Sequence, residues 1–233
     1  MRDISEIIRQ RRSTRAPFDP QRRIPEQDLR QILEAAGWAP TAHNMQNFEV
    51  IVVDDEAALA AIGAIRSQPS RTFLRENYRQ LSFSEDELRR RKTGLLASMF
   101  PPAWRTPDAD AEHAFVGRAM QNCPTLLIVV ADPRKRAPAS EGDALGVMSL
   151  GCVMQNIWLA AESLGVAMQV LSAFSAREAE HELRRILDIP DPMKIAFACR
   201  LGYLDAAPGG YLRVRRDVED FTHRNRYGRG GIA

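Results

Sequence analysis

The sequence predicts a folded domain that mixes helices and strands, with helices dominating. Its 233 residues are 45% hydrophobic and 27% charged, the ordinary composition of a globular chain, which excludes collagen, coiled coil and wholesale disorder. Four short apolar runs of strand length are separated by segments with helical periodicity, so the two kinds of element alternate along the chain. A chain of this size holds one core without disulfides or a structural metal.

The first part of the chain predicts two helices and a strand. Residues 4–8 carry isoleucines at helical spacing, and this short helix runs out into a basic cluster at 9–15. The second helix starts at Pro25, has apolar residues at three- and four-residue spacing, and stops before Pro40. The β-branched run 48–53 that follows is bounded by two aspartates, which predicts the first strand.

The middle of the chain, residues 56–121, is charged, arginine-rich and helical in pattern. A capping box formed by Ser84 and Glu87 opens a helix that extends to about Phe100. We expect a helical excursion, at about 66–115, that covers a pocket on the main domain. Plain solvated helices are an equal alternative.

The remaining part predicts three strands around a long apolar helix. Residues 143–164 are apolar around nearly the whole circumference of a helix, which predicts burial on all sides in a large core or a dimer interface. Gly165 is expected to end this helix. The other elements are strands at 125–131, 166–171 and 194–201, a helix from Ser175, and an arginine-rich tail.

The charge, the apolar runs and the cysteines limit where the protein is expected to act and what it is expected to bind. The net charge is only +2 and the acids are interspersed, so nucleic acid is not the expected partner. The N-terminal segment lacks the apolar stretch of a signal peptide, and no apolar run approaches membrane-span length, so we expect a cytoplasmic protein without a membrane contact. Cys123, Cys152 and Cys199 stand far apart. We expect them to be buried, reduced thiols and expect no metal site.

Nearly all of the cationic residues are arginines, since only three of the 32 are lysines. No metalloprotease, nucleophile-elbow, Walker or dinucleotide-binding motif is present in the sequence. The clusters Arg11-Arg12-Ser13-x-Arg15 and Arg213-x-Arg215-Arg216 lie near opposite ends of the chain. If the ends meet, the clusters form a clamp for a phosphate; if not, they are solvated or paired with acids.

The phosphate clamp is favoured by the loop after the second helix, Ala39-Pro40-Thr41-Ala42-His43-Asn44-Met45-Gln46-Asn47-Phe48. Together with the preceding basic pair and Ser-x-Arg, this loop resembles the FMN-dependent nitroreductase family. The apolar helix, the Leu-Ser-Ala strand end at 171–173, the Leu-Gly-Tyr after the last strand and the tail follow in that family's order. The resemblance covers most of the chain, apart from about 66–115.

This resemblance implies an α+β fold, with a central, mostly antiparallel sheet flanked by helices, in an intertwined homodimer. An FMN would occupy each of two sites at the interface. Arg11 and Arg12, with Ser13, would hold the FMN phosphate. Arg15 would lie near the N1 and O2 edge of the flavin ring, where a cation stabilises negative charge.

Three further segments match the family's cofactor contacts. Thr41, Asn44 and Gln46 match the loop that contacts the flavin, in part from the partner subunit. The strand end Leu171-Ser172-Ala173 matches the backbone that approaches the ring near N5, and Arg213-x-Arg215 matches the C-terminal phosphate anchors. Amide side chains can pair with the donor and acceptor edge of an isoalloxazine, and arginine forks suit a phosphate.

The activity that the resemblance implies is a ping-pong transfer of hydride from NAD(P)H, through FMN, to a nitroaromatic or similar electron-poor aromatic, with no side chain as catalytic acid or base. A flavin-dependent dehydrogenase or oxidase, or a flavin-binding protein without turnover, remains open. Two departures bear on the flavin potential and on hydrogen bonding at N5. Asn47-Phe48 replaces the family's frequent Pro-Trp, and Ser172-Ala173 replaces an acid-Gly or Gly-Gly pair.

Overall fold

The computed structural model describes residues 3–67, 84–90, 116–117, 120–138, 142–171, 174, 177–205 and 214–230. The chain forms two compact units, one made of residues 1–68 and 110–207 and the other of residues 69–109 and 208–233. Most of the expected excursion at 66–115 falls outside the described residues. The arrangement of the chain as one domain with a covering excursion therefore stays a prediction.

The described elements alternate as the sequence predicts. The helices are α1 (Ile4–Gln10), α2 (Glu26–Gly37), α3 (Glu56–Gly63), α4 (Glu85–Arg90), α5 (Ala144–Ser163) and α6 (Arg177–Ile186). The strands are β1 (Glu49–Val53), β2 (Thr125–Ala131), β3 (Ala167–Leu171) and β4 (Lys194–Gly202). Single turns of 3-10 helix lie at Ala42–Asn44 and Val218–Asp220.

The four strands form one antiparallel sheet in the order β1-β2-β4-β3. Strand β2 lies in the interior of the sheet, and six of its seven residues are buried. A strand covered on both faces needs a continuous apolar run rather than an alternating one, which explains its sequence TLLIVVA. Leu127 and Val129 face the core that α2 and α5 share with Cys199 and Leu201 of β4. The predicted antiparallel α+β fold is confirmed.

Helix α5 is packed on one face within the chain, not on all sides. Val153, Ile157 and Ala161 are buried, whereas Val147 and Met148 are 61% and 65% exposed. By length and composition alone α5 could cross a membrane, yet here it packs on α2 and against β3 as part of the sheet domain. The expectation of burial around the whole helix is therefore not met by a single chain.

Several local expectations can be compared directly. Helix α2 ends at Gly37, earlier than Pro40 requires, with Trp38 87% exposed at its C-cap. Gly165 has a positive φ of 73°, as a residue ending a helix should. In the predicted capping box, the Glu87 N–H donates to Ser84 Oγ at 3.2 Å; Ser175 lies outside the described residues.

The cysteines are less uniformly buried than expected. All three thiols are free, but only Cys199 is fully buried, while Cys123 and Cys152 keep some exposed surface. Burial raises the pKa of the Cys123 thiol to about 12 and raises that of Cys199 further. These two sulfurs are therefore protonated packing groups rather than nucleophiles.

Candidate cofactor site

The arginine segment, residues 11–15, leaves α1 and runs along the outer strand of the sheet. Ser13 forms a parallel bridge with Met168 of β3, and the Thr14 N–H donates to the Met168 carbonyl at 2.9 Å. Thr14 is buried, whereas the Arg12 side chain is exposed. The backbone of the arginine segment therefore pairs with the edge strand β3. The pairing is at Met168, three residues before β3 ends at Leu171.

A buried cation holds the chain immediately after the arginine segment. Arg200 of β4 is 3% exposed, and its guanidinium donates to Gln169 Oε1 at 2.8 Å and to the carbonyls of Gln121 and Ala16, both at 2.9 Å. The same guanidinium lies 4.5 Å from the centre of the Phe18 ring. Burial lowers the Arg200 pKa, although an arginine remains charged in such a site.

Phe18 itself is fully buried and requires Gly202 beside it, since a Cβ on Gly202 would come within 2.8 Å of the ring. Phe18 also forms an antiparallel bridge with Leu204. The chain from Ser13 to Phe18 is therefore fixed by main-chain pairing at both ends and by Arg200 between them.

Helix α5 contacts the arginine segment through one aromatic side chain. The Arg11 guanidinium lies over the Trp158 ring, 4.3 Å from its centre. The indole Nε1–H donates to the Arg12 carbonyl oxygen at 3.3 Å. Trp158 is partly buried and packs against the core that α2, α5 and the sheet share.

The loop at residues 41–48, called the flavin loop here for the contact that the sequence predicts, brings Thr41, Asn44 and Gln46 together. The Gln46 N–H donates to Thr41 Oγ1, and Gln46 Nε2 donates to Asn44 Oδ1, both at 3.1 Å. His43, Asn44 and Gln46 all have positive φ, between 46° and 53°, a backbone that non-glycine residues adopt only where other contacts hold it. Asn44 and Gln46 are exposed, so their amides face outwards.

Two side chains outside this trio fasten the flavin loop. The Ala42 N–H donates to Ser149 Oγ of α5 at 2.9 Å, and that hydroxyl donates to the Leu145 carbonyl at 2.7 Å. Asn47 Nδ2 donates to the carbonyls of Asp132 and Lys135 at 2.8 and 3.0 Å, while Asn47 Oδ1 accepts from the Asp132 N–H at 3.1 Å. Asn47 thus ties the loop to the end of β2 with three hydrogen bonds, which a proline could not make.

The side-chain carboxylate of Asp132 lies in the same turn that Asn47 contacts. It accepts hydrogen bonds from the side chain and backbone of Arg134 at 3.0 Å, and these bonds hold the pKa of Asp132 below its ordinary value. The ionised carboxylate stabilises the turn whose carbonyls Asn47 uses.

A groove of about 420 Å³ lies beside the flavin loop, between the first turns of α5 and the facing ends of β2 and β4. Its walls are mostly apolar; they include Met45, Phe48, Val147, Leu150, Ile195 and Phe197. Among the residues described, no group of three or more His, Cys, Asp or Glu side chains could hold a metal ion.

The structure divides the predicted cofactor residues between two places along α5. Ser149 contacts the flavin loop and Trp158 contacts the arginine segment, and nine helical residues separate these two by about 13–14 Å along the axis. Arg11, Arg12, Ser13 and Arg15 form one group, beside Met168 of β3; Thr41, Asn44 and Gln46 form the other. Leu171 lies at the end of β3, where it pairs with Ala198 of β4.

Three predicted residues, Ser172, Ala173 and Arg213, lie outside the described residues. Arg215 belongs to the second unit, where its Nη1 donates to the Val214 carbonyl at 2.8 Å.

Sequence reasoning missed the residues that hold the two groups in place. Arg200 carried a readable signal, because a charged residue inside an apolar strand must find buried partners. Ser149 and Trp158 were read only as parts of an apolar helix. Asn47 was noticed as a departure, but its three hydrogen bonds depend on a turn that is 85 residues away in the sequence.

The chain thus combines an antiparallel sheet, an arginine segment on the edge of that sheet and a polar loop bound to α5. Residues 8–203 match the model of the nitroreductase family. The chain belongs to that family, and the resemblance found in the sequence is confirmed.

Similar proteins agree with this assignment. A protein of Archaeoglobus fulgidus, whose name proposes NADH dehydrogenase or NAD(P)H nitroreductase activity, is 25% identical over 227 residues, covering 97% of this chain and 100% of its own length. An NADPH-dependent oxidoreductase of Staphylococcus aureus is 22% identical over 204 residues, which are 88% of this chain and 66% of that protein.

Solved structures share the fold. An FMN-dependent nitroreductase of Clostridium difficile aligns with a TM-score of 0.61 at 19% identity, covering 95% of this chain and 98% of its own. A nitroreductase of Desulfitobacterium hafniense with bound FMN aligns with a TM-score of 0.57 at 22% identity, covering 91% and 95%.

Proposed function

We propose that this chain is an FMN-dependent oxidoreductase that takes hydride from NAD(P)H and reduces a nitroaromatic or similar electron-poor aromatic by a ping-pong mechanism. The observation that carries the proposal is the arginine segment, whose backbone is built into the sheet edge while Arg12 faces outwards. Membership of the nitroreductase family supports the same activity. FMN, when bound, supplies the two-electron chemistry, and the protein supplies binding, orientation and electrostatics.

The residues present fit an FMN. Its phosphate carries nearly two negative charges, which Arg11 and Arg12 can neutralise with forked donors while the Ser13 hydroxyl adds another hydrogen bond. Arg15 would act at the ring edge where negative charge gathers on reduction. Leu171-Ser172-Ala173 would approach the ring through backbone, and Arg213 and Arg215 would add phosphate contacts.

The division of the site along α5 leads us to propose a homodimer in which each site draws on both chains. Val147, Met148 and Gly151 form an exposed, largely apolar stripe on α5, and a stripe of this kind favours a covering partner. A second copy across α5 would bring its Thr41, Asn44 and Gln46 to the arginine segment of the first.

Within such a site the chain acts by positioning and by charge. The exposed amides of Asn44 and Gln46 would orient the ring, and the apolar groove beside the flavin loop would take the aromatic substrate and exclude water. No side chain is assigned as acid or base. In keeping with the use of NAD(P)H, we also propose a cytoplasmic location.

The test is the visible absorption spectrum of the purified protein, followed by anaerobic addition of NADPH and then of a nitrobenzoate. Flavin bands that bleach with NADPH and return with the nitro compound support both half-reactions. Bound flavin that NAD(P)H does not bleach would overturn the proposed donor and favour an oxidase or a flavin-binding protein. A protein that takes up no FMN would overturn the proposal as a whole.

A further inference from the structure

We propose that Trp158 is a positioning residue for the phosphate end of the FMN site, acting through Arg11 and Arg12. The proposal rests on the proposed function, because it assigns a role toward FMN. Its basis is that one indole ring makes two different contacts with consecutive residues of the arginine segment.

The first contact orders a side chain. An arginine side chain in solution samples many rotamers, and part of that freedom is lost when the guanidinium binds a phosphate. Stacking on Trp158 at 4.3 Å restricts Arg11 before any ligand arrives. The stack uses the face of the guanidinium, whereas its N–H donors point along the edge, so ordering does not consume phosphate donors.

The second contact orders the backbone. The indole Nε1–H donates to the Arg12 carbonyl, two residues before the Thr14 N–H joins β3. The peptide between these points, which carries Ser13, is therefore held by α5 on one side and by the sheet on the other. Without the indole donor, the sheet contact would be the remaining main-chain restraint between Arg12 and Thr14 among those described.

The ring itself is well fixed. Trp158 follows Ile157, which is fully buried, and packs against the shared core. Trp158 is nine residues from Ser149, the α5 residue that contacts the flavin loop. Trp158 contacts Arg11 and Arg12, which are proposed to hold the phosphate, so its influence is expected at the phosphate end.

This separation defines the experiment. Riboflavin has the same ring as FMN but no phosphate, so the ratio of the two dissociation constants isolates the phosphate end. We would measure both constants by flavin fluorescence titration for the wild type, Trp158→Phe, Trp158→Leu and Arg11→Ala. Trp38→Phe is the matched control, because Trp38 is 87% exposed at the end of α2.

Trp158→Phe keeps an aromatic face but removes the N–H, and Trp158→Leu removes both. We expect FMN affinity to fall about threefold to tenfold in the first and about tenfold to fiftyfold in the second, in line with the loss of one hydrogen bond and of one cation–π contact. Riboflavin affinity should stay within about twofold of wild type in both variants, and Trp38→Phe should change the affinity for neither ligand.

Two results would overturn the proposal while leaving the proposed function intact: unchanged affinity for both ligands in both Trp158 variants, or an equal loss of affinity for both ligands, which would mean that the ring only supports the fold. A wild type that binds neither flavin would instead overturn the proposed function, and this inference with it. Trp158→Phe, with its conservative packing, keeps the test decisive if Trp158→Leu fails to fold.

Discussion

The arginine segment and the flavin loop carry the two halves of the predicted cofactor site, and they are held in different ways. The arginine segment is held by backbone pairing with β3, by the buried guanidinium of Arg200 and by the Trp158 ring. The flavin loop is held by individual side chains, chiefly Asn47 and Ser149.

In the arginine segment, the side chains proposed to bind the cofactor are different from the groups that hold the backbone in place. In the flavin loop, the same side chains have both roles. Arg11 and Arg12 can change without moving the backbone beneath them, because that backbone is paired to the sheet. In the flavin loop, Thr41 and Asn44 are both proposed ligands of the flavin and hydrogen-bond partners of Gln46. Substitutions there alter the shape of the loop as well as its chemistry.

The largest effect is expected for Arg200→Leu. The change leaves the carbonyls of Ala16 and Gln121 and the amide of Gln169 without their shared donor, and we expect it to lower the free energy of unfolding by about 3–5 kcal/mol. Chemical denaturation measures this directly. Arg30→Leu is the control, since the exposed Arg30–Glu34 pair on α2 contributes less than about 0.5 kcal/mol. Equal effects of the two variants would contradict the role of Arg200.

Asn47→Ala is expected to cost about 2–3 kcal/mol of unfolding free energy, because three hydrogen bonds between the flavin loop and the end of β2 are lost. Asn47→Asp keeps the acceptor for the Asp132 N–H but loses both donors, so its stability should not exceed that of the wild type. If Asn47→Ala matched the wild type in a denaturant titration, the loop would not depend on this side chain.

Arg11→Ala tests the other half of the comparison. We expect FMN affinity to fall by about 1.5–3 kcal/mol as one charge-assisted contact is lost, while the free energy of unfolding changes by less than about 1 kcal/mol. Arg215→Ala is expected to weaken FMN binding to a similar degree. Fluorescence titration gives the affinities, with Arg30→Ala as the control. Unchanged FMN affinity in Arg11→Ala would refute the phosphate assignment.

A smaller effect follows from the thiols of Cys123 and Cys199. Their pKa values are raised in the folded chain from the ordinary value of 9.0, so the thiols of the unfolded chain ionise first. The free energy of unfolding is therefore unaffected by these thiols well below pH 9 and declines as the pH rises above it. Each thiol contributes a loss of about 1.4 kcal/mol per pH unit once its unfolded form is ionised. Cys123→Ala should reduce the thiol contribution to this slope by about half. A slope identical to that of the wild type would contradict the assigned burial.

Sequence patterns predicted the sheet closely because its strands follow local rules. The apolar run 125–131 is β2 residue for residue, and the other three strands lie within a residue of their expected bounds at each end. The arginine segment and the flavin loop could be located equally well, since both are short motifs; their contacts with a flavin stay a prediction.

What escaped the sequence depends on contacts between distant parts of the chain. Arg200 binds carbonyls 79 and 184 residues away, and backbone carbonyls leave no mark on a sequence. The outer face of α5 was predicted to be buried because periodicity reports only that a face is apolar. Whether another part of the same chain or a second chain covers it is a question of assembly, which periodicity does not encode.

The most direct test of the proposed site, in which each FMN contacts both chains of a dimer, uses mixed dimers of two defective chains. One chain carries Arg11→Ala with Arg12→Ala, and the other carries Asn44→Gly with Gln46→Gly, where glycine keeps the positive φ and removes the amide. Each homodimer should bind FMN weakly. A heterodimer isolated through two different tags should regain one site of wild-type affinity, because one arginine segment and one flavin loop from different chains are intact together. A heterodimer that binds FMN as weakly as either homodimer would contradict the account.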